Sequence, residues 1–257
     1  MSHPSPTPDT ALTHEAPYRV RFDEAGPSGL LRTSGLLRYA QDVAWLHSTE
    51  LGFDRDWYRE RQLTWLVRSA ELEVLRPIWL GAAIVSRTAV VGQRRVWARR
   101  RGEFRLADGS LGGWVHTDWV LIDGRGALTR IPPVFAETFG IPEASGQIGR
   151  VPLGPAPVDA AAREFTVRPH ELDPMDHVNN AVYLDWFEEA ILAAGGADAG
   201  AALEAIPRRY RLEYAAAADA GASLTDAVWR DGAGWAYRVR SVDGSDAFRA
   251  ILTAGGA

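Results

Sequence analysis

The stretch LDPMDHVNNAVYLDWFEE, residues 172–189, joins a polar turn to an amphipathic segment. Asp173 and His177 lie four residues apart in the turn, and the two asparagines that follow are residue types that favour the start of a helix. From Tyr183 onward, apolar residues recur at helical spacing on one face and acidic residues lie opposite. The stretch therefore predicts a candidate site that leads directly into a partly buried helix.

An internal repeat relates this stretch to an earlier one. A shift of 165 − 18 = 147 residues lays YRVRFDEAGPSGLLRTSGLLRYAQDVA on FTVRPHELDPMDHVNNAVYLDWFEEAI. The shift matches Val20 with Val167, Arg21 with Arg168, Glu24 with Glu171, Pro27 with Pro174, Leu37 with Leu184, and Tyr39 with Trp186. In both copies a short alternating segment, Tyr18 to Phe22 or Phe165 to Pro169, leads through a turn into a helical pattern. The chain is thus predicted to contain two repeats, each with one long helix.

Asp-Gly pairs punctuate the runs of β-branched and aromatic residues that follow each helix, and such pairs favour tight hairpin turns. They begin at Asp108, Asp123, Asp231 and Asp243. Matching them in order gives offsets of 231 − 108 = 123 and 243 − 123 = 120. We therefore expect roughly 25 extra residues in the first half, with a short helix in LGFDRDWYRERQ, from Leu51, as the insertion.

A strand, a long helix and an antiparallel meander, present twice, match an α+β double hotdog. This fold consists of two tandem hotdog repeats, each an antiparallel sheet wrapped around a long central helix. We divide the chain into a disordered Pro-rich leader (1–16), an N-terminal repeat (17–130), a Pro-rich linker (131–162) and a C-terminal repeat (163–257) that carries the site. A short helix is expected in the linker, around Phe135 to Phe139.

Composition excludes several classes of function. The net charge of −5 argues against a nucleic-acid-binding protein. The absence of cysteine excludes disulfides, thiolate nucleophiles and Cys-ligated metals. The chain contains no Gly-x-Ser-x-Gly elbow, Walker loop or dinucleotide fingerprint. His170, Asp173 and His177 lack regular ligand spacing, so we expect neither metal nor cofactor.

The first residues, MSHPSPTPDTALTHEAP, lack the basic and apolar regions of a signal peptide. No apolar run reaches the roughly 20 residues that a membrane helix needs. We therefore expect a cytoplasmic protein without membrane partners, either a monomer or a homodimer.

Four motifs in order resemble the acyl-ACP thioesterase family: LTWLVRSAELEVLRPIWLGAAI (63–84), GWVHTDWVLID (113–123), LDPMDHVNNAVYLDW (172–186) and YRLEY (210–214). The third is similar to that family's Asp-x-Asn-x-His-Val-Asn-Asn segment, and the fourth to its Tyr-Arg-x-Glu-Cys. Two positions depart from the pattern, because Met175 replaces the family's asparagine and Tyr214 its cysteine.

The resemblance implies hydrolysis of a fatty acyl thioester on acyl carrier protein (ACP), whose phosphopantetheine arm carries the acyl chain. It implies Asp173, His177 and Glu213 as site residues, with Asp173 and Glu213 as competing candidates for the base that activates water. Glu213 shares a strand face with Arg209 and Arg211, so an exposed ion-pairing role is the alternative. Backbone N–H groups at the helix start would stabilise the oxyanion, and we expect Val178 and Asn179 to supply them.

The first copy of the repeat lacks the polar groups of the second. Under the 147-residue shift, Gly26, Leu30 and Arg32 replace Asp173, His177 and Asn179, so we expect one active site. The first half is then predicted to supply the acyl pocket. We expect that pocket to be walled by Leu36, Leu37, Tyr39, Val43 and Trp65.

Arginines cluster in RRVWARRRGEFR, residues 94–105. On a strand, Arg95, Arg99 and Arg101 would lie on one side and could receive an acidic carrier protein or the phosphate of a pantetheine arm. A solvated sheet face is the alternative.

Three other functions stay open at this point. An acyl-CoA thioesterase would differ in its carrier, and a hotdog hydratase or dehydratase would not release thiol. A non-catalytic acyl-binding protein is the third.

Overall fold

Ten strands form one antiparallel sheet in the computed structural model, which describes residues 12–141 and 146–255. In chain order the strands are β1 (Thr13–Arg19), β2 (Leu63–Val74), β3 (Ala83–Arg94), β4 (Trp97–Leu106), β5 (Leu111–Asp123), β6 (Ala161–Thr166), β7 (Arg208–Tyr214), β8 (Ser223–Asp231), β9 (Gly234–Ser241) and β10 (Asp246–Ala254). Their spatial order is β1-β3-β4-β5-β2-β7-β10-β9-β8-β6. Each half therefore repeats the same order from its edge inward, and β2 pairs with β7 at the junction.

Five helices accompany the sheet in the described residues: α1 (Thr33–Glu50), α2 (Arg55–Glu60), α3 (Pro133–Phe139), α4 (Asn180–Ala194) and α5 (Ala197–Glu204). The long helices α1 and α4 pack against each other. Between them, the Arg38 guanidinium lies 2.6 Å from the Asp185 carboxylate, and these two positions are 147 residues apart. None of these helices is long and apolar enough to span a membrane.

The main core lies between the sheet and the two long helices. In β7, Tyr210, Leu212 and Tyr214 face this core, as the period of two in a strand requires. On α4, Phe187 is fully buried and stacks on Tyr237 with ring centroids 5.1 Å apart. Burying a side chain of this size stabilises the fold by about 1.5–3 kcal/mol.

A smaller aromatic cluster closes the first half where the linker returns to it. Phe135 and Phe139 of α3 pack on Phe53, which precedes α2. The linker helix predicted around Phe135 to Phe139 is confirmed. It starts with proline at its first position and ends at Phe139, and the next residue, Gly140, has a φ of 58° that suits a helix C-terminus.

The identities that defined the repeat hold equivalent contacts. Arg21 and Arg168 each donate their backbone N–H to a glutamate three residues on, at 2.8 and 2.6 Å. Glu24 also accepts from the hydroxyl of Tyr39, and Glu171 from the indole Nε1 of Trp186. In each half one carboxylate thus fastens a short 3₁₀ helix, at Phe22–Glu24 or Pro169–Glu171, to the long helix.

Several predicted boundaries were wrong. The strands expected to end at Phe22 and Pro169 end earlier, because the chain turns into the two 3₁₀ helices. The predicted leader overlaps β1, which begins at Thr13 and pairs with β3, while residues 1–11 lie outside the described residues. The predicted linker overlaps β6, which begins at Ala161.

The predicted matching of the Asp-Gly turns between the two halves is wrong. Asp108-Gly109 joins β4 to β5, and its counterpart Asp243-Gly244 joins β9 to β10, an offset of 243 − 108 = 135. The first half therefore holds 147 − 135 = 12 extra residues, largely in longer strands such as β2, which has 12 residues against 7 in β7. The short helix predicted after Leu51 is confirmed as α2. It is no insertion, since α5 occupies the equivalent place.

Candidate active site

The turn before α4 is closed by hydrogen bonds within its own backbone. Asp173 N–H donates to the carbonyl of His177 at 2.9 Å, and Asp176 N–H donates to the carbonyl of Asp173 at 2.9 Å. The Asp173 side chain also accepts from the N–H of Met175 at 2.8 Å. Asp176 has a φ of 63°, a left-handed conformation that aspartate tolerates better than most residues.

The first copy builds the same turn without the polar side chains. Gly26 N–H donates to the carbonyl of Leu30 at 2.8 Å, and Gly29 N–H donates to the carbonyl of Gly26 at 2.9 Å. Gly29 has a φ of 84° where the second copy has Asp176. The backbone therefore needs neither an aspartate nor a histidine at these positions.

His177 presents an accessible imidazole beside a second carboxylate. Its side chain is 42% exposed, and its Nε2 lies 3.7 Å from the carboxylate of Asp219. Burial, and then the carboxylates of Asp219 and Asp173, raise the pKa of the Tyr183 hydroxyl, which stays protonated. His177, Asp219, Asp173 and Tyr183 thus surround one region at the start of α4.

No sequence pattern identifies Asp219 as a site residue. In the first copy the equivalent contact is a backbone bridge between Leu30 and Trp79, so an apolar pair there becomes a His–Asp pair in the second half. The offset between Trp79 and Asp219 is 219 − 79 = 140 rather than 147. An ungapped comparison of the two copies could not align them.

Asn179 caps α4 and connects it to the first half. Its Oδ1 accepts from the N–H of Ala181 at 2.9 Å, and its Nδ2 donates to Oε1 of Gln41 on α1 at 3.3 Å. Gln41 was also missed, because a contact across 138 residues has no local sequence signal. The site is therefore assembled from both halves.

The expected oxyanion donors are wrong. Val178 N–H donates to the carbonyl of Ala218 at 3.0 Å, and Asn179 N–H donates to the carbonyl of Glu171 at 2.9 Å. Both bonds hold the turn in place. Within the described residues, the N–H of Asn180 has no acceptor, which leaves it as the first available donor of the helix.

Glu213 does not join this site. Its side chain is buried on the face of β7 opposite the helices, where it accepts from the N–H of Val151 at 2.9 Å and from Arg249 at 3.3 Å. Its neighbour Tyr214 faces the helices and donates to the carbonyl of Asn180 at 3.0 Å. Glu213 is thus not close to the turn before α4, and its carboxylate, which pairs with Arg249, is buried rather than exposed. It fastens the linker to the sheet.

We expect Glu213→Ala to lower the free energy of unfolding by about 2 kcal/mol, because a buried N–H and a guanidinium lose a charged acceptor. Thioester hydrolysis should stay within twofold of the parent protein. Urea unfolding and thiol-release kinetics measure the two effects. Glu164→Ala, on an exposed position of β6, is the matched control. If Glu213→Ala folds but has a 100-fold lower kcat, Glu213 takes part in catalysis and this prediction is wrong.

The predicted acyl-pocket residues do not form one wall. Leu36, Leu37 and Tyr39 belong to the main core, and Val43 is fully buried on the same helix. Trp65 instead packs on Phe135 in the smaller aromatic cluster, with ring centroids 5.3 Å apart.

Two of the three predicted carrier-binding arginines are bound within the fold, which contradicts that interpretation. Arg99 pairs with Asp118 at 2.7 Å. Arg101 is buried and pairs with Glu103 at 2.8 Å. Arg95 is exposed in the β3–β4 turn and stays a prediction.

Comparison with known sequences matches both halves. The family described as acyl-ACP thioesterase N-terminal domain matches residues 11–138, and the family described as acyl-ACP thioesterase C-terminal domain matches residues 156–253. An uncharacterized protein of Mycobacterium tuberculosis is 24% identical over 223 residues, which cover 85% of this chain and 83% of the relative.

Three solved structures share the fold over nearly the whole chain. A putative oleoyl thioesterase from Lactobacillus plantarum has a TM-score of 0.83 at 16% identity, covering 95% of this chain and 96% of that one. The 12:0-ACP thioesterase from Umbellularia californica has a TM-score of 0.77 at 20% identity, covering 95% and 98%. An acyl-ACP thioesterase from Bacteroides thetaiotaomicron has a TM-score of 0.76 at 16% identity, covering 93% and 96%.

Proposed function

The chain belongs to the acyl-ACP thioesterase family and is a thioester hydrolase that acts on fatty acyl-ACP, and we propose that hydrolysis takes place at the turn before α4. One observation carries this location. The two halves share the backbone of the turn, yet only the second places Asp173 and His177 on it. Side chains that the fold does not need are available for chemistry. We describe the architecture as a double hotdog, which the mirrored strand order supports.

We assign His177 as the base. Its Nε2 faces Asp219, so the neutral ring carries its proton there and leaves Nδ1 to accept one. Water adds to the thioester carbonyl carbon while Nδ1 takes a proton from it. The imidazolium then gives that proton to the departing sulfur as the C–S bond breaks, which yields the fatty acid and the thiol of ACP.

Asp173 and Asn180 complete the site. The Asp173 carboxylate uses one oxygen on Met175 N–H and has a second oxygen for the attacking water. The N–H of Asn180, at the positive end of the helix dipole, is the donor that we assign to the oxyanion. Tyr214, where the family has cysteine, orients the Asn180 carbonyl and is not a nucleophile.

Thiol release from a chain-length series of acyl-ACP and acyl-CoA tests this function. We expect release from acyl-ACP, with Asp173→Asn and Asp219→Asn each reducing kcat. Glu213→Gln is the carboxylate control away from the site. Faster release from the CoA series would favour an acyl-CoA thioesterase. Binding without release from any substrate would contradict the proposal and favour an acyl-binding protein.

A further inference from the structure

A groove that several charged side chains line lies on the face of the sheet opposite the long helices. Its volume is about 550 Å³, and it runs along the β2–β7 junction beneath residues 149–151 of the linker. This volume is within the range of about 300–1,000 Å³ of small-molecule sites. The carboxylate of Asp118 and the carboxylate of Glu213 hold the linker at this place by accepting from Gly149 N–H and Val151 N–H. The groove therefore has one wall of sheet and one of linker.

Positive charge exceeds negative charge in this groove, although the whole chain has a net charge of −5. Five arginines and three carboxylates line it, but the guanidinium of the buried Arg208 donates to Thr33 on the helix side of the sheet, which leaves four arginines for the groove. The carboxylates are engaged: Asp118 pairs with Arg99, Glu71 pairs with Arg209, and Glu73 accepts from the indole Nε1 of Trp114. The groove thus carries an excess of 4 − 3 = 1 positive charge.

Arg150 and Arg211 are the arginines of this groove without a carboxylate partner in the described part of the chain. Both are exposed. Nη2 of Arg211 donates to the backbone carbonyl of Arg150 at 2.7 Å, which brings the Arg211 guanidinium to the linker at the residue that carries the second arginine. Neither guanidinium has an acidic partner among the described residues, so an anion bound between these two arginines would be attracted by both positive charges.

His116 adds a neutral donor to the same lining. Its Nε2 lies 3.1 Å from Nη1 of Arg101, which can only donate, so the ring proton is on Nδ1. Burial and the nearby Arg101 and Arg99 lower the pKa of His116 to about 4, and the ring is uncharged at neutral pH. It can therefore hydrogen-bond an anion without depending on protonation.

We propose that this groove binds a small phosphorylated molecule, with its phosphoryl group between Arg150 and Arg211. Guanidinium groups donate in a planar fork that matches phosphate oxygens. The groove lies across the sheet from His177, so its ligand is distinct from the thioester at α4. A bound phosphoryl group would join the linker to β7, and it should stabilise the folded chain.

Inorganic pyrophosphate is the probe, used in titration calorimetry and thermal unfolding at ionic strength held constant with NaCl. We expect saturable one-to-one binding and a rise in Tm for the full chain. The double variant Arg150→Gln/Arg211→Gln should weaken binding at least tenfold. Arg150→Gln alone should weaken it partly, and it removes no contact that holds the linker. Arg55→Gln, an exposed arginine on α2, is the matched control and should bind as the parent protein does.

Two results would overturn this proposal. One is equal binding by the parent and the double variant, and the other is a signal that grows without saturation, as screening of surface charge produces. Hydrolysis of acyl-ACP without pyrophosphate should be the same in the double variant and the parent. Pyrophosphate binding and acyl-ACP hydrolysis are therefore separate measurements. Absence of the first would not contradict the thioesterase function, and absence of the second would not contradict the phosphoryl site.

Discussion

His177→Ala is expected to lower kcat/KM for acyl-ACP by about 10²–10⁴-fold, the contribution typical of a positioned acid–base group. The ring beside Asp219 is the group that we assign to take a proton from water and deliver it to the leaving sulfur. The free energy of unfolding should change by less than about 0.5 kcal/mol, because the side chain is partly exposed and makes no contact that the turn requires. Leu30 in the first copy shows that this backbone forms without histidine.

Thiol-release kinetics and urea unfolding measure the two quantities on the same preparations. His170→Ala is the matched control, since His170 is an exposed histidine seven residues earlier on a 3₁₀ helix. It should retain the parent's kcat/KM. If His177→Ala hydrolyses acyl-ACP as fast as the parent protein does, the proposed site is wrong.

The free energy of unfolding is expected to fall as the pH is lowered, and His47 is the residue that we expect to contribute most clearly to this fall. This ring is buried on α1, with Nη1 of Arg100 3.0 Å from its Nδ1 and the edge of Phe139 against it. Burial, then Arg100 and His14, lower the pKa of His47 to about 3. His14 itself pairs with Glu50 at 2.6 Å.

The direction follows from proton binding. Below its ordinary pKa of about 6.5, His47 binds a proton in the unfolded chain but not in the folded one. The stabilising effect of a neutral His47 is therefore fully present above pH 6.5 and is lost as the pH falls toward 3. At about 1.4 kcal/mol per pH unit, the loss from this residue between pH 6.5 and 4.5 is about 2–3 kcal/mol.

Carboxylates titrate over the same interval, so the difference between two proteins is the useful quantity. His47→Gln keeps an acceptor for Arg100 and does not titrate. We expect the parent to lose about 2–3 kcal/mol more than this variant between pH 6.5 and 4.5 in urea unfolding. His170→Gln, at an exposed position, should follow the parent. Parallel pH curves for the parent and His47→Gln would show that burial of His47 does not control the acid sensitivity.

Local patterns predicted the elements of the fold. The repeat was visible because Arg21, Glu24 and their second-half equivalents are required by the 3₁₀ turn itself, so their spacing is preserved. The helices were visible because one face of each is buried. The correspondence between the hairpins of the two halves could not be predicted, because several Asp-Gly pairs have the same local sequence signal. Which of them are equivalent depends on strand lengths, and only pairing across the sheet determines those lengths.

The site was predicted only as far as its own loop. Asp173 and His177 lie in one short segment, whereas Asp219 and Gln41 reach the site through the sheet and the other half. Glu213 was misplaced because a carboxylate next to a motif can face either side of a strand. What decided its environment was the linker, 62 residues away in sequence, which covers one face.

The ion pair between Arg38 and Asp185 has a consequence for assembly. The two residues occupy equivalent positions in the two repeats and meet each other where the long helices cross. If two copies of the first repeat associated in the same way, Arg38 of one copy would lie against Arg38 of the other. Two copies of the second repeat would place Asp185 against Asp185. Both like-with-like pairings are disfavoured by repulsion, while the mixed pairing gains an attraction that is modest at this exposure. Each half therefore selects the other as its partner, a preference that a symmetric dimer of identical chains could not encode.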